Sequence, residues 1–500
     1  MNLLDVAAPK RARTSPLSVR TRRANHLGTA QLSVLETALC PLSAKLMRGG
    51  AVYRRKFFFT PCEKDSAAKP RREITNVRVT APLGLLPNDE YNLWGLLAVT
   101  LNRPDADDRL LATPHWCLGQ LGLPTNGGRQ YAAFRQSLDR LACVAYHCDN
   151  FYNPISKTHD FATFGFFDIL LPADLESSRA WEIRWNSVFF QFAKATGGKL
   201  LFDLDLFRQL DYASRRLFLK LKDRFWRRSK AEFDLTHLMV DGLGFADTLQ
   251  AKHLKQKLMR SIERLREHGI IALPDGINDP KQFFTKKGKG AYRVTFHRGP
   301  YFDQSPSVTQ PLKAHNDPAE SPLYEPLRNI GFSGGAIRRI VKNYSRRLIE
   351  NWSNATLLAM ENKPRGFPGF KVSPQAFFLD GIKNRRALPD WFHAERKREE
   401  TRQWEARRRQ MFGGETDMTL MYEKARKQSF QEFLAEEIRK GLYHDTFRKF
   451  VELHQTQLSE PAARDAATKA TRKHFEAKFE FPSENEWIMR KFHSVRSDAA

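Results

Sequence analysis

The sequence predicts an α+β, mainly helical protein: two tandem winged-helix domains followed by a helical C-terminal extension. Three observations predict it. From Tyr212 to Phe296 the chain runs helix, strand, helix, basic helix and then a hairpin with a basic tip, the order of a winged-helix DNA reader. From Ile74 to Pro172 it runs through a similar order once before. Finally, 82 Lys+Arg against 56 Asp+Glu give a net charge of +26, which points to a polyanion as partner.

Length and composition set the bounds. A chain of 500 residues accommodates roughly two to four domains. With 41% hydrophobic residues and 37 Phe, it can bury real cores. Five scattered cysteines (Cys40, Cys62, Cys117, Cys143 and Cys148) contain no Cys-x-x-Cys, so free thiols are expected rather than disulfides or structural zinc. No apolar run is long enough to span a bilayer, and the N-terminus gives way at once to Lys10, Arg11 and Arg13 rather than to a signal core. The expectation is a cytoplasmic protein with no membrane partner, in which double-stranded DNA is the polyanion.

Residues 1–75 read as a basic, disordered arm, with Tyr53 to Phe59 a short strand candidate inside it. The first winged-helix domain is placed at 76–178. Its first helix starts near Asp89, where a carboxylate suits a helix N-terminus, and its second has Pro114 in the first turn. Its third carries Tyr131, Phe134, Leu138 and Leu141 inward, leaving Arg129, Gln130, Gln136 and Arg140 as candidate DNA contacts. Val144 to His147 and Phe161 to Leu171 read as one hairpin, more apolar than basic, and so suited to packing on protein rather than on DNA.

The second domain is placed at 179–302, with Trp181, Ile183 and Trp185 as the strand that starts the connection. In the helix from Tyr212, Leu217, Phe218, Leu221 and Phe225 share one face, while Arg216 and Lys220 point elsewhere. Thr236 reads as the cap of a short helix broken by Gly242 and Gly244, and Thr248 as the cap of the next. That next helix, through Glu267, buries Leu254, Leu258, Ile262 and Leu265. It offers Lys252, Lys255, Gln256, Arg260 and Arg264 to a major groove, its N-terminal end nearest the bases. The hairpin tip supplies Lys286, Lys287 and Lys289 for phosphates. Asp211 to Pro300 hold 20 Lys+Arg against 10 Asp+Glu, and the excess is clustered where a duplex would lie.

Residues 303–322 read as a linker, 323–390 as a helical segment and 391–500 as a charged helical tail. In the helical segment Ile337, Ile340, Leu348 and Ile349 alternate with Arg338, Arg339, Lys342, Arg346 and Arg347. This pattern is read as the solvated face of a packing helix in preference to a third DNA contact. The chain has no His-x-His among its 14 histidines and no P-loop signature, and Asp203 with Asp205 reads as capping rather than metal binding. No catalytic residue, metal or cofactor is expected.

The chain resembles the replication initiator protein A family of bacterial plasmids and, more distantly, the wider iteron-binding initiators with two winged helices. The resemblance is carried by Asp89 to Leu101, by Phe166-Phe167-Asp168-Ile169-Leu170, by Leu210 to Leu221 and by Leu254 to Ile271. The later Asn362-Lys363-Pro364-Arg365-Gly366-Phe367 adds to it. It covers 76–385; the stretch from Lys363 to Pro374 and the charged tail depart from the family pattern. The resemblance implies a non-enzymatic protein that binds repeats at an origin, helps open an adjacent AT-rich segment and recruits the host replicative helicase and initiator. It also implies a switch between monomer and dimer. A winged-helix transcriptional regulator and a DNA-processing enzyme with an unrecognised metal site are the competing readings.

Overall fold

The basic N-terminal stretch is no loose arm over 27–42 and 51–59. In the computed structural model, which describes residues 27–42, 51–59, 73–103, 106–172, 174, 177–226, 228–273, 280–304, 321–412, 415–482 and 487, strand β1 (Leu27–Gln31) pairs antiparallel with β9 (Lys199–Asp203). Ala30, Val34, Leu39 and Cys40 are buried. Strand β2 (Ala51–Phe59) pairs along its length with β3 (Glu73–Ala81), so the expected arm is corrected to two pieces of sheet. Its basic opening, 1–26, lies outside the described residues.

The first unit follows as α1 (Pro87–Leu101), β4 (Arg109–Ala112), α2 (Pro114–Gln120) and α3 (Gly128–Ala142). Asp89 closes the start of α1 by accepting the Leu86 N–H at 2.7 Å, and Thr113 caps α2 through the Trp116 N–H. The single hairpin expected next is two. Strand β5 (Ala145–Asn153) pairs with β6 (Thr158–Phe164) and joins β2 and β3 in a four-stranded sheet of order β2-β3-β5-β6. Strand β7 (Phe167–Leu170) instead pairs with β8 (Trp181–Trp185), which pairs with β4. The break falls at Gly165–Phe166. Phe166 and Phe167 are both buried, which a strand continuing its alternation from Phe164 would not allow. Trp181–Trp185 therefore completes the first unit's sheet, and the expected boundary at 178/179 runs through the β7–β8 pairing.

Helices α4 (Ser187–Lys194) and α5 (Leu204–Gln209) lead to the second unit: α6 (Tyr212–Phe225), β10 (Lys230–Asp234), α7 (Leu235–His237) and α8 (Ala251–Glu267). Then come β11 (Ile271–Ala272), β12 (Phe284–Gly288), β13 (Ala291–Arg298) and α9 (Tyr301–Gln304). Strand β13 pairs with β10, β11 and β12 alike. Asp234, not Thr236, caps α7 by accepting the His237 N–H, and α8 begins after Gln250, with Thr248 in the preceding turn. Asp203 caps α5 through the Leu206 N–H, as expected of a capping carboxylate.

One apolar core runs from Ala30 to Phe296 through both units. At their junction sits Arg216, expected on the outside of α6 but buried. Its guanidinium donates to Glu90 of α1 at 2.7 Å, and to the carbonyls of Cys40 and Leu243 at 2.8 Å each. Gly244 closes the turn before α8 with φ +88, and a Cβ there would meet the Cys40 carbonyl at 2.6 Å. Lys220, also expected outside, donates to the Glu36 carbonyl, and burial holds its ammonium below the usual lysine range.

Beyond 305–320, which fall outside the described residues and hold most of the expected linker, α10 (Tyr324–Ile330), α11 (Gly334–Asn343), α12 (Arg346–Asn362) and α13 (Pro374–Lys383) enclose their own core around Trp352 and Phe378. Helix α14 (Asp390–Phe412) then returns to the first unit. Helices α15 (Glu415–Arg439), α16 (Leu442–Gln455) and α17 (Glu460–Lys478) pack through Phe430, Phe433, Tyr443, Phe475 and Phe479. Among the described residues no helix is long and apolar enough to cross a membrane.

Candidate nucleic-acid interface

Helix α8 is amphipathic because its apolar residues recur at helical spacing. Leu254, Leu258, Ile262 and Leu265 are buried, with Ser261 beside them. That burial fixes what faces out. Lys252, His253, Gln256, Lys257 and Arg260 are exposed on the N-terminal part of the helix, and Glu263, Arg264 and Glu267 on its C-terminal part. The basic excess is thus confined to the end that follows the turn. Arg264 donates to Glu267 at 2.9 Å and to the Gln209 carbonyl, which ties it to the protein at the acidic end.

Beside α8 stands the β12–β13 hairpin. Lys286 and Lys287 lie in β12 itself rather than in a loose tip, and Lys289 in the turn closed by Gly290 at φ +76; all three are exposed. A bulge between Lys286 and Gly288 twists the strand end. Lys255 joins the two elements. Its ammonium stands 4.1 Å from the centroid of the Tyr292 ring and 5.9 Å from that of Phe284. Lys286 is the cross-strand neighbour of Tyr292, so Lys255 is only half-exposed, against the hairpin rather than at the outermost edge of α8. His253 and Lys257 were not among the expected contacts. Their signal was available, since the three-to-four-residue step from Lys252 through Gln256 to Arg260 places both at the rim of the same face.

The first unit presents a different surface. Arg129, Gln130 and Gln136 are exposed on α3. Arg140 is not available: it grips the buried Asp89 with two hydrogen bonds of 2.7 Å, and so braces α3 against the start of α1. The β7–β8 hairpin is covered. Gln403 of α14 accepts the Leu171 N–H and donates to its carbonyl, while Arg407 donates to the Ile169 carbonyl at 2.9 Å. Of the apolar hairpin expected to pack on protein, the last strand, β7, is thus covered by α14, while Phe161 of β6 is exposed.

An ionic cluster holds that cover. Glu182 of β8, with a side chain 4% exposed, receives Arg396 of α14 at 2.5 Å, Arg184 at 2.5 Å and Arg109 at 2.9 Å. Burial alone would raise its carboxyl, but Arg109 and Arg396 outweigh it and hold the group below the usual range. Arg109 reaches on toward Glu350 of α12, whose carboxyl burial pushes up despite Arg346 at 2.7 Å. Arg179 and Glu399 form a second buried pair at 2.5 Å.

Cys40, Cys117, Cys143 and Cys148 are free thiols. Burial pushes Cys40 up to about 12, and Cys143 and Cys148 up to about 11 each. Among the described residues no group of three or more His, Cys, Asp or Glu side chains could hold a metal ion.

No protein-family model and no curated protein matches the chain. Among solved structures it is similar to a selenomethionine derivative of domains 2 and 3 of RctB, with a TM-score of 0.35 and 13% identity over 53% of this chain and 98% of that one. A second structure of RctB domains 2–3 gives a TM-score of 0.32 and 14% identity over 53% of this chain and 96% of that one.

Proposed function

We propose that this chain is a double-stranded-DNA-binding replication initiator. It reads origin repeats through two winged-helix units, promotes opening of adjacent DNA and recruits host replication proteins without catalysis of its own. One observation carries the DNA-binding part: a helix with a basic, exposed N-terminal half stands beside a hairpin bearing three exposed lysines, on one shared core. In this reading α8 enters a major groove. Lys252, Gln256 and Arg260 face base edges, Gln suiting adenine and the cations suiting guanine. The hairpin lysines hold the flanking phosphates. The initiator part comes from the family resemblance of the sequence.

Two experiments test this. Selection from a pool of randomised duplexes should return an enriched repeat, and Gln256→Ala should lose about 1–3 kcal/mol on it while relaxing one position. A pool that returns no preferred sequence, or a variant that selects the same site equally well, ends the base-reading assignment. Supercoiled DNA carrying that repeat beside an AT-rich segment should then become sensitive to a single-strand-specific nuclease when the protein is added. Tight binding without such opening would leave a promoter-binding regulator instead.

A further inference from the structure

We infer that α10 and α11 form a third helix-turn-helix, which grips the phosphate backbone of duplex DNA through Arg338, Arg339 and Lys342. The local geometry comes first. Helix α10 ends at Gly331, whose φ of +105 turns the chain sharply. After Phe332, the Ser333 hydroxyl accepts the Ala336 N–H and opens α11. A short glycine-containing turn between two packed helices is the construction of a helix-turn-helix. Ile337 and Ile340 face the core shared with Leu327, Ile330 and Phe378, which sets Arg338, Arg339 and Lys342 on the outer face, all exposed.

Charge sorting separates this surface from an ordinary solvated one. From Gly331 to Ile349 there are five Lys+Arg and no Asp or Glu. Of the acids the helical segment owns, Asp380 pairs with Arg386 on α13's side of the segment, and three others turn toward the first unit. Glu325 accepts the Thr113 hydroxyl, Glu350 takes Arg346 near Arg109, and Glu361 accepts from Ser177 and Ser178. The tail helix α17 shows what a solvated face looks like in the same molecule. There Arg464, Lys469 and Arg472 each meet an acid four residues away (Glu460, Asp465 and Glu476). Among the described residues, none of the three α11 cations has an acid within ion-pair distance. The Glu325 contact also sets α10, on which α11 packs, against the first turn of α2.

This inference rests on the duplex-binding reading, and the test separates the two. Binding of the full chain to a long labelled duplex of random sequence is measured across a salt series. Changing Arg338, Arg339 and Lys342 to Ala should flatten the log–log salt slope by roughly two to three units, because each neutralised phosphate contributes about 0.9. Arg338→Lys with Arg339→Lys should keep the slope, since a phosphate accepts a point charge as well as a fork. Neutralising Arg448, Lys449 and Lys473 in the tail matches the net charge change and should leave the slope alone. An unchanged slope in the α11 variant, while Lys252→Ala with Arg260→Ala still weakens binding, overturns the third contact and spares the duplex-binding reading. Equal flattening by the tail control overturns it too, by assigning the effect to net charge. A wild-type chain that does not bind the duplex at all removes both.

Discussion

The two units of this protein run through the same order of helix, strand, two helices and hairpin, yet one surface is open and the other partly occupied. In the second unit α8 and the β12–β13 hairpin leave Lys252, Gln256, Arg260, Lys286, Lys287 and Lys289 exposed. In the first, Arg140 is bound to Asp89, and the β7–β8 hairpin lies under α14. The difference teaches that element order specifies a scaffold, while the charge left without a protein partner specifies its use. The first unit's acids, Asp89 and Glu182, convert nearby arginines from ligands for an outside anion into internal braces.

The strongest way to break the comparison is to uncover the first unit. Glu182→Gln keeps the shape but leaves Arg109, Arg184 and Arg396 around an uncharged amide, and breaking a buried ionic cluster in this way costs about 3–5 kcal/mol. Thermal unfolding should shift down and protease should cut within α14, with duplex binding by the second unit retained. The pH dependence has a definite sign. Because the folded protein holds Glu182 below the ordinary glutamate value of 4.5, its contribution is present above that value and is lost as pH falls through the depressed one. Glu350, held above its ordinary value, does the reverse and loses its contribution as pH rises. The acid-induced loosening of α14 should therefore vanish in the Glu182→Gln variant. Wild type and variant melting alike at neutral pH would show that the cluster does not hold α14 in place.

A smaller effect sharpens the comparison from the other side. Changing Lys286, Lys287 and Lys289 together to Ala removes exposed point charges without touching the core. The magnitude of the salt slope for duplex binding should then fall by roughly two to three units, on selected and scrambled sequences alike. Selective loss on the selected sequence would mean that the hairpin reads bases. No change in slope would return it to solvent.

Much of the second unit was legible because its signals are local. The buried stripe of α8 repeats at helical spacing, and the alternation of Tyr292, Val294 and Phe296 marks a strand. What was not legible depends on partners distant in sequence. Nothing local marks Arg216 as buried; Glu90, Cys40 and Leu243, from three separate segments, make it so. Arg140 looks like any exposed helical arginine until Asp89, fifty-one residues earlier, is placed beside it. The short strand Leu27–Gln31 lacks a periodic pattern of its own because it completes a sheet with Lys199–Asp203. The split of the expected hairpin did carry a trace, in the consecutive buried Phe166 and Phe167, which alternation cannot accommodate.

The smallest predicted effect concerns how the open surface is held in shape. Lys255 lies at a basic position of α8, but its ammonium sits over the Tyr292 ring. A cation over an exposed aromatic face contributes about 0.5–1 kcal/mol, and here it links the helix to the hairpin. Tyr292→Leu keeps apolar bulk in β13 but removes the ring, so stability should drop by about 0.5–1 kcal/mol. The freed Lys255 then becomes available to phosphate, so the salt slope should steepen by up to about 0.9 rather than flatten. Lys255→Ala in the Tyr292→Leu background should cancel that steepening, which a general loosening of the hairpin would not do. If Tyr292→Leu instead flattens the slope, the ring is positioning Lys255 for the duplex, and the lysine belongs with Lys252 and Arg260 among the outward contacts.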